Sequence, residues 1–371
     1  MNIRFFFNVL FLALLSQNVV AQGFLNTLTQ GSFGVDLTQT PDGGYVVVGG
    51  IRTDSMLAAD IPQNAWVAYV DPNGARIWEK HIDVSGRLAF AVCTASDGSI
   101  VWVSQTVLVP DASYSSVVKM NGAGQILWQT DLPLSEFGDF TDIVATDDGG
   151  VYVFGSDTSS ANEFDFRLVR LDAGGTVVWD KFMGKPLLSD ISKKMLVLET
   201  GDLLLAGGDF EIDTNSVGKV TVLKADPDGN FLWQKWYSKP ENIVCAGIAA
   251  IDSNQIAVLV EMEDVSYHLL SIDKNGEETD FHEIVANVPD YNTSTATAIC
   301  TDGSDGYMVT GILESGFPVF GPIMNFIQKI DADGQLVWTK TYPIENGVPY
   351  NIVRSFDGGY ATAGYLFMQN I

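Results

Sequence analysis

The chain has 371 residues, with 46 acidic and 20 basic side chains that give a formal net charge of −26 at pH 7. A surface this acidic repels phosphate backbones and anionic lipid headgroups, which excludes nucleic acids and anionic membranes as favoured partners. Apolar residues make up 46% of the chain and aromatic residues 11%, enough for a packed core, which excludes a disordered chain.

The N-terminus has the pattern of a secretory signal peptide. Arg4 precedes an apolar run over residues 5–15, and small residues lie just before the expected cleavage site. The run is too short for a transmembrane helix, and no later stretch reaches the length that a span needs. We therefore expect residues 1–21 to be removed after Ala21, leaving residues 22–371 as one secreted or cell-surface domain of undetermined oligomeric state.

The segment from Phe140 to Met183 is a unit that returns along the chain about every fifty residues. It contains four short β-type runs separated by turn sequences, and helical periodicity is absent after Leu15. The second run opens at Val151, and the equivalent residues are Tyr45, Ile100, Leu203, Ile256, Tyr307 and Tyr360. A self-similar array at this period is typical of a propeller or solenoid.

Four residues after each of these positions, a small residue recurs in every unit but one. The small residues are Gly49, Ser104, Gly155, Gly207, Gly311 and Gly364, and Val260 is the exception. We expect glycine here because neighbouring sheets would approach too closely for a side chain.

A second landmark is an Asp-x-x-Gly or Asn-x-x-Gly turn followed four residues later by tryptophan. The tryptophans are Trp78, Trp128, Trp179, Trp233 and Trp338, and Asp280 stands where the fifth copy should have one. Such a turn between apolar runs predicts a β-hairpin. The indole ring is expected to fill the gap between adjacent blades, where it buries a large apolar area.

These patterns predict an all-β fold, a β-propeller of four-stranded antiparallel blades, with seven blades as the favoured count. The last blade is incomplete, because the sequence lacks its third and fourth strands. Residues 23–28 resemble an outer strand that could close the ring, but one strand would still be missing. We therefore expect the chain to be the N-terminal part of a longer protein.

The segments LVRLDAGGTVVWDK, LKADPDGNFLWQK and IQKIDADGQLVWTK resemble the tryptophan-docking motif of quinoprotein-like propellers. The segments TPDGGYVVVGG and SFDGGYATAGY resemble repeats of secreted Bacteroidota proteins, many of which end in a type IX secretion sorting domain. The resemblance covers nearly all of residues 23–371 and implies a fold rather than an activity. The quinone-dependent alcohol dehydrogenases of that superfamily carry adjacent cysteines, which this chain lacks. We therefore expect no cofactor.

Motifs for catalysis and metal binding are missing from the sequence. It contains no G-x-S-x-G, H-E-x-x-H, P-loop or CxxC motif. Three histidines are too few for a His-rich metal site, and the three scattered cysteines indicate buried free thiols. Asp226 and Asp331 open turns that faintly resemble calcium loops, but calcium needs more oxygen ligands than these turns supply. We expect plain hairpin turns and no bound metal.

Four polar residues share one phase of the repeat and form a candidate ligand site. Asp36, Asp142, Lys194 and Asn351 lie nine residues before the second-strand landmark, where the innermost strands open. We expect them near the mouth of the central channel, where they could bind a small polar ligand or a cation. The alternative is a water-filled channel lined by ordinary polar residues.

The sequence favours a secreted, non-catalytic propeller that binds a protein or glycan at the cell surface, mainly through the loops that follow the second strands. One alternative is a polysaccharide lyase or glycosidase in which Asp36 and Asp142 place two carboxylates in one cavity. Another is a spacer repeat within a large surface adhesin.

Overall fold

The computed structural model describes residues 32–51, 64–82, 87–106, 114–135, 138–160, 163–184, 189–210, 218–262, 266–285, 288, 289, 291, 293–315, 323–342 and 347–366. These ranges contain 26 β-strands and no helix. The predicted signal peptide and the predicted strand at residues 23–28 lie outside the described residues. So do large parts of the loops that follow the second strands.

The strands form six four-stranded sheets, each arranged in chain order. The first holds β1 (Ser32–Gln39), β2 (Tyr45–Ile51), β3 (Asn64–Val70) and β4 (Arg76–Ile82), and the second holds β5 (Arg87–Thr94), β6 (Ile100–Thr106), β7 (Tyr114–Met120) and β8 (Ile126–Pro133). The third holds β9 (Asp139–Ala145), β10 (Val151–Ser160), β11 (Glu163–Leu171) and β12 (Val177–Met183).

The fourth sheet holds β13 (Ser189–Val197), β14 (Leu203–Phe210), β15 (Lys219–Ala225) and β16 (Phe231–Tyr237). The fifth holds β17 (Ile243–Asp252), β18 (Gln255–Met262), β19 (Tyr267–Ile272) and β20 (Glu278–Ile284). The sixth holds β21 (Thr293–Thr301), β22 (Gly306–Glu314), β23 (Met324–Asp331) and β24 (Leu336–Tyr342), and a two-stranded sheet holds β25 (Gly347–Arg354) and β26 (Tyr360–Leu366).

This topology confirms an all-β propeller fold of four-stranded antiparallel blades, and it corrects the blade count. The described residues contain six complete blades rather than seven, with β25 and β26 as a seventh, partial sheet.

The chain divides into two compact units. The first comprises residues 1–157, 167–180 and 355–371, and the second comprises residues 158–166 and 181–354. In the first unit, β1 packs beside β5 and beside β26, and β5 packs beside β9. In the second unit, β17 packs beside β13 and beside β21, and β21 packs beside β25. First strands of successive blades therefore lie side by side within each unit.

The outer hairpins form at the predicted turns. In the first blade, the amide of Gly74 donates to the carbonyl of Asp71, and Asp71 Oδ1 accepts hydrogen bonds from the amides of Asn73 and Ala75. Gly74 has a φ of 78°, in the left-handed region where a side chain is strained. The equivalent glycines of the other five blades have φ values between 70° and 83°, so all six turns require the same residue type.

Each first strand of the six blades carries a β-bulge, which the sequence does not reveal. The bulge turns a carbonyl of the first strand toward the recurring small residue of the second strand. A Cβ atom on Gly155 would lie 2.1 Å from the carbonyl oxygen of Asp139, and one on Gly207 would lie 2.0 Å from that of Ile191. The expected reason for glycine was therefore wrong: the close approach comes from the first strand of the same blade, not from a neighbouring blade.

The tryptophan of the first blade contacts the second blade. Trp78 Nε1 donates a 2.9 Å hydrogen bond to the carbonyl of Gly122, in the outer turn of the second blade. Its ring packs on Tyr69, with 5.7 Å between ring centroids. The indole thus combines apolar contact within its own blade with a polar contact to the next one.

Candidate functional site

The four predicted ligand residues occupy one structural position. Asp36, Asp142 and Lys194 directly follow the bulge of their first strands, and Asn351 holds the corresponding place in β25. Asp36 and Asp142 belong to the first unit, and Lys194 and Asn351 to the second. Their convergence around one ligand remains a prediction.

The carboxylate of Asp36 is buried and bound to the backbone. Its Oδ1 accepts a 2.9 Å hydrogen bond from the amide of Leu37, and its Oδ2 accepts a 2.8 Å bond from the amide of Val92 in β5. One side chain therefore caps the strand after its own bulge and joins the first strands of two blades. These contacts give the buried carboxylate its hydrogen-bond partners and hold the two strands together.

The same cap recurs at two of the other positions. Asp142 Oδ1 accepts a 3.0 Å hydrogen bond from the amide of Ile143, and Asn351 Oδ1 accepts a 2.8 Å bond from the amide of Ile352. Asp142 is 2% exposed. The shared contact explains why Asp or Asn suits this position, since both carry an acceptor oxygen at the distance that the cap requires. Lys194 is partly buried and lacks such an oxygen.

Thiol and metal chemistry find little support among the described residues. Burial raises the pKa of Cys245 to about 12, and burial likewise raises that of Cys300 to about 12. A thiol with such a pKa is almost entirely protonated near neutral pH and a poor nucleophile. Within the part of the chain that the structure describes, no group of three or more His, Cys, Asp or Glu side chains is arranged to hold a metal ion.

A buried ion-pair cluster in the first unit was missed at the sequence level. Arg167 Nη1 lies 2.8 Å from Asp157 Oδ2, and Arg167 Nη2 lies 2.6 Å from Asp180 Oδ2. The guanidinium also donates to the carbonyl of Pro133. Burial alone would lower the pKa of Arg167, but the carboxylates of Asp180 and Asp157 outweigh it and raise the pKa.

This cluster is structural. Asp157 Oδ1 also accepts a 3.0 Å bond from the amide of Ser135, so the cluster ties the linker after β8 to strands β10 and β11. The sequence signal for this cluster is the charged Arg167 within the otherwise mostly apolar run FRLVRL of β11. Its partners could not be assigned without the register of the strands.

A second recurring interaction pairs a basic residue with the docking tryptophan. Lys119 lies opposite Trp128, Lys224 opposite Trp233 and Lys329 opposite Trp338 in the register of the third and fourth strands. The same lysines form ion pairs of 2.8–3.0 Å with acids of the turn between the first two strands, namely Asp97, Asp202 and Asp302. In the fifth blade the corresponding pair is Ser271 opposite Asp280.

The fourth strands expose aliphatic side chains at their beginning. Ile126 and Leu127, just before Trp128, are 50% and 54% exposed. Equivalent exposed residues in the other blades are Ile77, Val177, Val178, Phe231, Leu232 and Val337. We call these side chains the outer apolar pairs. The fifth blade has Glu278 and Thr279 in their place.

The fourth strands also end their sheets. Among the described residues, no further strand pairs with the outer edge of β4, β8, β16, β20 or β24. Unpaired edges with apolar side chains are unusual in soluble proteins, because they invite another chain to pair with them. Among the residues that the structure describes, no helix is long and apolar enough to cross a membrane.

Comparison with known proteins gives a family and a fold. A family model described as "Outer membrane protein assembly factor BamB" matches residues 63–281, more than half of the chain. No curated protein matches the chain. The crystal structure of Sqt1 from Chaetomium thermophilum is 12% identical with a TM-score of 0.53, and the match covers 92% of this chain and 97% of that one.

Two solved bacterial proteins of unknown function are also similar. The protein from Bacteroides caccae is 12% identical with a TM-score of 0.47, over 77% of this chain and 97% of its own. The protein from Dyadobacter fermentans is 12% identical with a TM-score of 0.49, over 81% of this chain and 95% of its own. At these identities, the match to Sqt1 indicates a common propeller fold and nothing about activity.

Proposed function

The chain belongs to the family of the outer membrane protein assembly factor BamB, and from this membership we propose that it is a non-catalytic scaffold that binds a protein partner at the cell surface. The signal-peptide pattern of residues 1–21 supports export. The family membership supports a propeller that acts by binding. The observation that carries the proposal is the set of outer apolar pairs on unpaired edge strands.

The outer apolar pairs favour a protein over a glycan. An extended segment of a partner could pair with the free edge of β8 through its backbone and cover Ile126 and Leu127 with its own side chains. Main-chain hydrogen bonds would supply affinity, and the aliphatic pair would select apolar side chains at matching positions. The repetition of the pair in several blades offers more than one such edge.

The contacts of Asp36 and Asp142 weigh against the alternative of a sugar-cleaving enzyme. Both carboxylates are buried, and both accept hydrogen bonds from backbone amides. A catalytic acid needs an oxygen that can reach a glycosidic oxygen and exchange a proton with it. Backbone amides already occupy both oxygens of Asp36 and one oxygen of Asp142.

The proposal is tested by photocrosslinking in cells that export the chain. A photoreactive amino acid replaces Leu127 or, in a second variant, Leu232. The matched control carries it at Thr279, the equivalent position of the fifth blade, where the aliphatic side chain is missing. We expect one discrete crosslinked protein from Leu127 or Leu232, none from Thr279, and loss of the product when Ile126→Ser is added to the Leu127 variant. Equal products at all three positions, or glycan-array binding without any crosslinked protein, would overturn the proposal.

A further inference from the structure

The second unit contains a cavity of about 250 Å³ between the fifth and sixth blades. On the side of the fifth blade it is lined by Gln255, Ser271 and Asp280, and on the side of the sixth blade by Tyr307, Ala332 and Asp333. It lies at the place where the other blades dock their tryptophan. It adjoins the fifth-blade edge at Thr279, where the outer apolar pair is missing.

The cavity exists because two large side chains are replaced together. Elsewhere a tryptophan of the fourth strand lies opposite a long residue of the third strand, as Trp128 lies opposite Lys119 and Trp233 opposite Lys224. In the fifth blade, Asp280 lies opposite Ser271. The indole and the basic side chain are therefore both missing from the same place.

The acceptor for the missing indole is still present. Trp128 Nε1 donates a 3.0 Å hydrogen bond to the carbonyl of Ala173, the residue after the Asp that opens the outer turn of the next blade. Ala332 holds that position in the sixth blade, directly after Asp331, and it lines the cavity. Ala332 is therefore the counterpart of the residue whose carbonyl accepts the indole N–H in the second blade.

The cavity is also short of positive charge. In the second and fourth blades, lysine ammonium groups neutralise turn acids, at 3.0 Å between Lys119 and Asp97 and 2.8 Å between Lys224 and Asp202. Asp280 and Asp333 contribute carboxylates to the cavity, and none of its described lining residues is Lys or Arg. Asp280 also contacts an imidazole, because Nε2 of His282 lies 2.7 Å from Asp280 Oδ2.

We propose that this cavity is a binding site for a planar, positively charged nitrogen group of the guanidinium class. A guanidinium is flat like the indole that the sister blades place here, and it is positive like the lysine that accompanies that indole. It carries only donors, which match a carbonyl and two carboxylates. One bound guanidinium therefore supplies both the flat shape and the positive charge that the fifth blade lacks. The guanidinium can belong to a free small molecule or to an arginine side chain.

Ligand-observed NMR titration of the whole chain tests the proposal with ethylguanidinium, and with uncharged ethylurea as the matched probe. We expect saturable binding of ethylguanidinium and at least about tenfold weaker binding of ethylurea, because charge-assisted hydrogen bonds would be lost. The capped peptide Gly-Arg-Gly distinguishes the two sources. Tighter binding of the peptide than of ethylguanidinium assigns the site to arginine side chains, and weaker binding assigns it to small molecules.

Three variants locate the binding. Asp280→Asn removes charge with little change of shape, and we expect about tenfold weaker binding of ethylguanidinium. Asp280→Trp fills the cavity and should abolish binding. Asp228→Asn is the matched control, because Asp228 is exposed and holds the place of Asp333 in the outer turn of the fourth blade. Equal binding of the two probes, or unchanged binding in both Asp280 variants, would overturn the proposal.

Discussion

Trp128 Nε1 lies 3.0 Å from the carbonyl oxygen of Ala173, and this hydrogen bond connects the fourth strand of the second blade to the outer turn of the third. The hydroxyl of Thr130 adds a 2.6 Å bond to the carbonyl of Gly175 in the same turn. The turn can receive both contacts because Gly175 has no side chain, and an added Cβ would lie 2.7 Å from the Trp128 ring. Docking of one blade on the next therefore depends on a ring and a glycine together.

The first prediction separates the apolar and polar parts of this contact. Trp128→Ala should lower the free energy of unfolding by about 2–3 kcal/mol, less than for a fully buried tryptophan because the ring is partly exposed. Trp128→Phe keeps most of the apolar contact and should cost about 1 kcal/mol through the lost hydrogen bond. Urea denaturation of both variants measures the difference. Equal losses would show that the indole N–H, rather than the ring area, dominates the contact.

The second prediction concerns the bulge in the first strand. Gly155→Ala should destabilise the chain by about 3 kcal/mol or more, because the new Cβ would lie 2.1 Å from the rigid backbone carbonyl of Asp139. Gly122→Ala is the matched control, since no atom lies within 4 Å of a Cβ at that exposed position. It should change the free energy of unfolding by less than about 0.5 kcal/mol. Similar thermal denaturation of the two variants would contradict the proposed role of the bulge.

The third prediction is a pH dependence centred on Asp97. Burial raises the pKa of this carboxyl, but hydrogen bonds from Ser99 and the ammonium of Lys119 outweigh burial and lower the pKa from 3.8 to about 2. A pKa that is lower in the folded chain stabilises the fold above the unfolded value, and that stabilisation is lost as the pH falls from about 4 to about 2. Asp97→Asn should therefore be less stable than the natural chain at pH 7, and the difference should shrink over this interval.

Melting temperatures from pH 7 to pH 2 measure this effect. Asp228→Asn serves as the control, because Asp228 is an exposed carboxyl of an outer turn, whereas Asp97 pairs with the buried Lys119. Its melting temperatures should run parallel to those of the natural chain over the whole range. Parallel behaviour of Asp97→Asn would show that the ion pair does not contribute to the acid sensitivity of the fold.

The repeated turns and tryptophans made the blade architecture predictable, because Asp71 and Gly74 form a local turn and Trp78 follows Gly74 at a spacing that the other copies repeat. The bulge before Asp36 was not predictable, since it depends on the register between two strands rather than on residue type. For the same reason, the sequence does not show that Asp36 and Asp142 cap backbone amides. A polar residue at a fixed repeat phase can serve the backbone as readily as a ligand.

The cavity beside the fifth blade also could not be predicted from the sequence alone. The sequence revealed that Asp280 replaces a tryptophan, but Ser271 has no landmark of its own within the run YHLLSI. The register that places Ser271 opposite Asp280 was needed to show that two large side chains are missing from one place. Loss of either one alone could be compensated by the other, so the pair is what creates the space.

The last prediction restores the missing docking residue. Asp280→Trp should raise the free energy of unfolding by about 1–2 kcal/mol, because the new indole would fill part of the cavity of about 250 Å³ at the position where the other blades carry tryptophan. Val337→Trp is the control, since it adds the same ring at a position that is 53% exposed, and it should leave stability nearly unchanged. Urea denaturation measures both variants. If Asp280→Trp is no more stable than Val337→Trp, the cavity does not have the shape of the docking site that the sister blades share, and the replacement of tryptophan in the fifth blade would need a different explanation.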